Sequence, residues 1–157
     1  MTNNTINNAA MTNQEKKDLD NRNTCKRIAD ELDAIAAGLV YRCPECGELI
    51  EWDNDQYNND ERTYTCPNCR KTFEENELEP IAMYDYFADA FDIEYRIGSD
   101  REYRSVQVMV ACGGPNIYVD TERKSVDLYW LGDRASYLLQ PNTVYAIDEC
   151  FSELFNM

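Results

Sequence analysis

Two cysteine pairs of identical spacing occupy the middle of the chain: Cys43-Pro-Glu-Cys46-Gly47 and, nineteen residues later (Gly47 to Thr65), Cys66-Pro-Asn-Cys69-Arg70. A Cys-x-x-Cys pair suits a tight turn that aims two sulfurs and nearby backbone N–H groups at one point. Two such turns separated by about 15 to 20 residues match the spacing of a four-thiolate zinc site. The chain has no histidine, so a mixed cysteine–histidine centre is excluded and only the four-cysteine type remains. The expected arrangement is a zinc ribbon in which Cys43, Cys46, Cys66 and Cys69 hold one Zn2+. A closed set of four ligands leaves no open position for water or substrate, so the metal would be structural.

Other chemistries fit the same residues less well. The chain has seven cysteines and no secretory signal, which argues against a disulfide scaffold. No strand–helix–strand pattern surrounds the pairs, as a thioredoxin-like redox centre would require. Iron stays open, because rubredoxin-like turns also read C-P-x-C-G and ligand identity alone does not choose the metal.

At 157 residues the chain is long enough to bury a core beside such a module. Its apolar runs are short, so no bilayer span is expected, and residues 1–12, rich in Asn and Thr, read as a disordered tail. The compartment expected is the cytoplasm. Charge is the second constraint: 15 basic and 30 acidic residues give a net of −15. The negative field lies beyond residue 40, with a net of −7 in residues 41–80 and again in residues 81–157. Nucleic-acid-binding ribbons neutralise phosphate with Lys and Arg. This composition does the reverse, so direct nucleic-acid binding is not expected unless Arg96, Arg101 and Arg104 form a local cluster. The acid either keeps the protein soluble or meets a basic partner.

In chain order, the sequence predicts a helix over 13–39, with Ile28, Leu32, Ile35 and Leu39 on one stripe and Gly38 as its stop. The ribbon covers 41–79. Leu49, Ile50 and Trp52 would form its first strand, 54–60 its tip, and Arg62, Tyr64 and Thr65 its return strand, with Trp52, Tyr64 and Phe73 packed over the metal. The acidic residues Asp53, Asp55, Asp60, Glu61, Glu74, Glu75, Glu77 and Glu79 are the candidate partner-binding set. Residues 80–157 read as an α+β domain. Pro80 would open a helix burying Ile81, Tyr84, Phe87, Ala88 and Phe91. Five strands follow at 93–97, 103–111, 116–120, 125–130 and 135–139, joined by short turns into an antiparallel meander. A final helix over 143–155 would lie across the sheet. Without histidine no Cys–His or Ser–His pair exists, and Gly113-Gly114-Pro115 lacks the Lys of a phosphate loop. No catalytic residues are expected.

The stretch Val110-Ala-Cys-Gly-Gly-Pro-Asn-Ile-Tyr-Val-Asp-Thr121, with Val126-Asp-Leu-Tyr-Trp130, Gly132-Asp-Arg134 and Ala146-Ile-Asp148, resembles small proteins of phages and mobile elements in low-GC Gram-positive bacteria. Joined to an acidic four-cysteine module, the chain looks like a type II-A anti-CRISPR protein. The resemblance implies a non-enzymatic inhibitor in the bacterial host cell that binds Cas9 with its guide RNA and blocks target-DNA loading. It fixes no contact residue. The alternative from another class is a zinc-ribbon adaptor or regulator of transcription.

Overall fold

The computed structural model describes residues 10–51 and 56–157. Residues 1–9 of the expected tail, together with Trp52, Asp53 and the start of the expected tip, Asn54 and Asp55, lie outside the described residues. Helix α1 runs Asn13–Ala36, and Thr12 caps it: its hydroxyl accepts from the Glu15 N–H while the Glu15 carboxylate accepts from the Thr12 N–H. The helix ends short of the predicted Leu39, because the Gly38 and Leu39 N–H groups turn back to Ile35 and Ala34 carbonyls and Gly38 takes φ +72°.

The largest unit is the expected meander. Strands β6 (Asp92–Ile97), β7 (Tyr103–Ala111), β8 (Asn116–Asp120), β9 (Ser125–Trp130) and β10 (Asp133–Leu138) pair antiparallel in sequence order. They follow β1 (Val40–Arg42), β2 (Leu49–Glu51), β3 (Tyr57–Asn58), β4 (Thr63–Thr65) and β5 (Thr72–Glu74) of the cysteine module. The β9–β10 turn is tighter than predicted: Trp130 pairs directly with Asp133 across Leu131 and Gly132, both at positive φ (47° and 86°), as a two-residue hairpin requires.

Alternation along the strands gives the sheet two unlike faces. One carries Val106, Val108, Ile117, Val119, Val126 and Leu128, all buried. Helices α1 and α3 (Pro141–Phe155) cover that face, adding Ile28, Leu32, Ile147 and Phe151 to one core. The helices are also joined through Asp33, whose carboxylate accepts from the Thr143 hydroxyl. The opposite face has no helix over it among the described residues and holds Glu94, Arg96, Gln107, Asp120 and Asp127.

The helix expected after Pro80 is only one turn, α2 (Met83–Tyr86). Pro80 is extended instead, bridging to Tyr41, and the Ile81 N–H donates to the Val40 carbonyl. Ile81 and Phe87 are buried as expected, but Tyr84, Ala88 and Phe91 are exposed. The extended Pro80–Ile81 segment ties the cysteine module to the main body. Along β1, Val40 enters the large core and Tyr41 the small one.

Candidate metal centre

Each cysteine pair sits in the bend of its own hairpin. The return strand expected for β2 is not β4: β2 pairs with β1, and β4 pairs with β3 and β5. The reason is local. The Cys43 N–H donates to the Glu48 carbonyl (2.8 Å) and the Gly47 N–H to the Cys43 carbonyl (2.9 Å), which folds β2 back onto β1. The second turn repeats the pattern, Cys66 N–H to Lys71 carbonyl (2.9 Å) and Arg70 N–H to Cys66 carbonyl (3.0 Å).

The residue after each second cysteine is left-handed, Gly47 at φ 78° and Arg70 at φ 62°. A Cβ added at Gly47 would meet no atom within 4 Å, so only the backbone conformation resists substitution there. Gly47→Ala should therefore destabilise the module by about 1–2 kcal/mol. Arg70→Gly should stabilise it by up to about 1 kcal/mol, relief of the same strain being partly offset by unfolded-chain entropy. Thermal unfolding of the metal-loaded variants checks both, and a Gly47→Ala protein that melts with the parent would contradict the turn assignment.

The two turns bring all four sulfurs together. Cys43, Cys46, Cys66 and Cys69 Sγ lie within 4.8 Å of one another, with Cys43–Cys69 at 3.7 Å and Cys46–Cys66 at 3.5 Å. A tetrahedral zinc with bonds of about 2.3 Å sets its sulfurs about 3.8 Å apart, so the cluster has the dimensions of a four-thiolate metal site. Cys43 and Cys66 are buried against Tyr41, Ile50, Tyr64, Phe73 and Leu78, while Cys46 is exposed. Tyr64 and Phe73 thus occupy the place the sequence predicts, and the Tyr64 ring packs in tilted contact with Tyr41 (4.9 Å) and Tyr57 (4.7 Å).

The electrostatics suit a cation. The Glu48 backbone N–H, helped by hydrogen bonds within the cluster, pulls the Cys46 thiol down to about 6. At the equivalent position the Lys71 N–H pulls on Cys69, but desolvation and the three neighbouring sulfurs hold that thiol up at about 11. Cys46 and Cys69 are thus driven in opposite directions, and a bound dication would supply the charge that favours thiolate at the centre. The exposed Lys71–Glu45 ion pair (2.6 Å), not foreseen from the sequence, links the two turns and is worth little in stability.

Of the acidic set, Asp60, Glu61, Glu74, Glu75, Glu77 and Glu79 are all exposed. The β4–β5 pairing draws the two halves of the set together: Thr63 faces Glu74, and Glu61, Glu74 and Glu75 line one groove with Arg62 and Asn76. The Arg96, Arg101 and Arg104 cluster does not form as a free cationic site. Arg96 is held by Asp120 and Glu122, and Arg104 by Asp100. The remaining thiols are set apart from the centre. Cys25 lies on the buried face of α1, where desolvation, then the charge of Asp127, pushes it up to about 11; Cys150 is half-buried and also raised by burial. Cys112 is exposed at the β7–β8 turn.

Among the described residues no helix is long and apolar enough to cross a membrane. No family model, curated protein or solved structure matches the chain.

Proposed function

We propose that this chain is a zinc-stapled, non-catalytic binding protein whose acidic ribbon docks on a basic partner, guide-loaded Cas9, and blocks target-DNA loading. The observation that carries the proposal is the exposed groove of Glu61, Glu74 and Glu75 on a module built around four clustered cysteines. Zinc is the metal that best suits a closed, redox-silent thiolate set. The partner's class follows from the resemblance of the Val110–Thr121 stretch and its companions. The physics is compatible, since Cas9 holds its guide–target heteroduplex in positively charged channels. The engagement of Arg96 and Arg104 by carboxylates weighs against a DNA-binding regulator.

Target-DNA loading by guide-loaded Cas9, measured with and without the protein, tests this reading. Loading should fall in proportion to inhibitor, and unimpaired loading and cleavage across a panel of type II effectors would contradict it. Combined Glu61→Gln, Glu74→Gln and Glu75→Gln should slow association about tenfold and flatten its salt dependence without altering the fold, because exposed charges act mainly on encounter. Unchanged association would move the contact off this groove. Salt-dependent binding to duplex DNA alone would favour the transcriptional regulator instead.

A further inference from the structure

Strand β6 ends the five-stranded sheet and has no strand on its outer side among the described residues. The opposite edge is different, because α1 lies along β10, with Lys17 paired to Asp133 and Lys26 over the Tyr137 ring. Free edges are ordinarily blunted by charge, proline or a covering element. The β6 edge carries the charged residues Asp92, Glu94 and Arg96, but between and beside them it exposes Ile93 (39 %) and Ile97 (52 %), next to Phe91 (65 %).

The sequence of β6 is complementary to itself. Read through its centre, Ile93-Glu94-Tyr95-Arg96-Ile97 carries isoleucine at both ends and opposite charges flanking the tyrosine. In an antiparallel pair centred on Tyr95, Ile93 would face Ile97 of the second copy, and Glu94 would face its Arg96. Residues directly opposite share a face of the sheet. Pairing with β7 fixes which face: Ile93 faces the core residue Val108, while Glu94 faces Gln107 on the uncovered side. The isoleucine pairs would therefore extend the apolar layer, while on the polar face Glu94 would lie beside an Arg96 already held by Asp120 and Glu122 and so adds little.

The backbone is set for the same register. The Gly98 N–H donates to the Glu102 carbonyl at the end of the β6–β7 hairpin. Backbone groups alternate in direction along a strand, so those of the even-numbered residues face β7 and those of Ile93, Tyr95 and Ile97 face outward. These three residues would make the hydrogen-bonded pairs in the centred register. Tyr95 is already fixed against Phe155 (5.4 Å) and Phe151 (6.3 Å), so little ordering is left to occur on association. The net charge of −15 opposes self-association, but at physiological salt repulsion beyond about 8 Å is largely screened, and the isoleucine contacts and backbone hydrogen bonds decide.

We infer that β6 pairs antiparallel with β6 of a second copy of this chain, joining two sheets across a two-fold axis at Tyr95. Sedimentation velocity of the full metal-loaded chain over a dilution series tests this. The parent should dimerise in a concentration-dependent way. Ile93→Lys should weaken association at least about tenfold, since two-fold symmetry applies the change twice. Adding Ile97→Glu to Ile93→Lys places Lys opposite Glu and should restore the dimer. Ile97→Pro removes an outward N–H at an edge where proline is tolerated and should leave a folded monomer. A parent of single-chain mass at every concentration would overturn the inference. So would an Ile97→Pro protein of native circular dichroism that dimerises like the parent, or a folded double variant that stays monomeric.

Discussion

Cys66→Ser is expected to abolish metal binding and unfold the cysteine module while the five-stranded sheet stays folded. Cys66 is fully buried in the small cluster, which among the described residues otherwise holds Tyr41, Cys43, Ile50, Tyr64, Phe73 and Leu78, with Tyr57 and Cys69 packed against it. Burying one such aromatic or aliphatic side chain gains about 1.5–3 kcal/mol. Ordering the backbone costs about 1–2 kcal/mol for every residue, so this cluster does not fold its module unaided. A structural zinc site supplies about 10–16 kcal/mol, and that energy is lost with the ligand. The main core, from Ile28 and Leu32 through Val108 and Val126 to Phe151, is a separate cluster and keeps its own packing. Amide exchange should therefore lose protection over 41–51 and 56–74 and retain it over 92–138. Retained protection in both regions would contradict a metal-dependent module.

The second large effect is expected at Asp120, on the uncovered face of the sheet. Its carboxylate is fully buried and receives both terminal nitrogens of Arg96 at 2.9 Å, the Gln107 amide at 3.1 Å, and the Glu122 and Arg123 N–H groups at 3.0 and 3.1 Å. Asp120→Ala orphans all of these donors and should destabilise the protein by about 3 kcal/mol; the partial exposure of Arg96 keeps the cost at the low end for a broken buried pair. Burial pushes this carboxyl up, but the Arg96 bond and the two backbone donors outweigh it and hold it below the usual carboxylate range. A group depressed by folding stabilises fully above its unfolded value and loses that contribution as pH falls through the folded one. The parent should thus lose stability below about pH 4 through this group, and Asp120→Ala should remove that part of the acid sensitivity. Denaturant unfolding at neutral and acid pH measures both, and a loss well under 1 kcal/mol would contradict the role assigned here.

What the sequence made legible was mostly local. Cys-x-x-Cys spacing fixes ligand identity because each turn is closed within a few residues, and the meander strands announce themselves by alternation between turn signals. Pairing inside the cysteine module was not legible. Val40–Arg42 is too short to show an alternation of its own, so the sequence pattern points Leu49-Ile50 to the next visible strand rather than to the one its own turn folds it onto. The sequence over-extends the helix after Pro80 because Ile81, Tyr84, Phe87, Ala88 and Phe91 have helical spacing. Hydrogen bonding of Ile81 to Val40, distant in sequence, pulls that segment straight. The Asp120 network needed three strands and a turn together, although one part of it was visible. An Asp followed by Thr121 to Lys124 is a turn signal whose carboxylate accepts N–H groups two and three residues on.

Native mass spectrometry of the purified chain, under conditions that keep metal bound, tests the central claim most directly. The account predicts one zinc ion per chain, with the accompanying loss of thiol protons, and conversion to the metal-free mass on acidification as the thiolates reclaim them. A metal-free chain lighter by the hydrogens of two disulfides, or a full-mass chain that takes up no zinc when it is supplied, would contradict it.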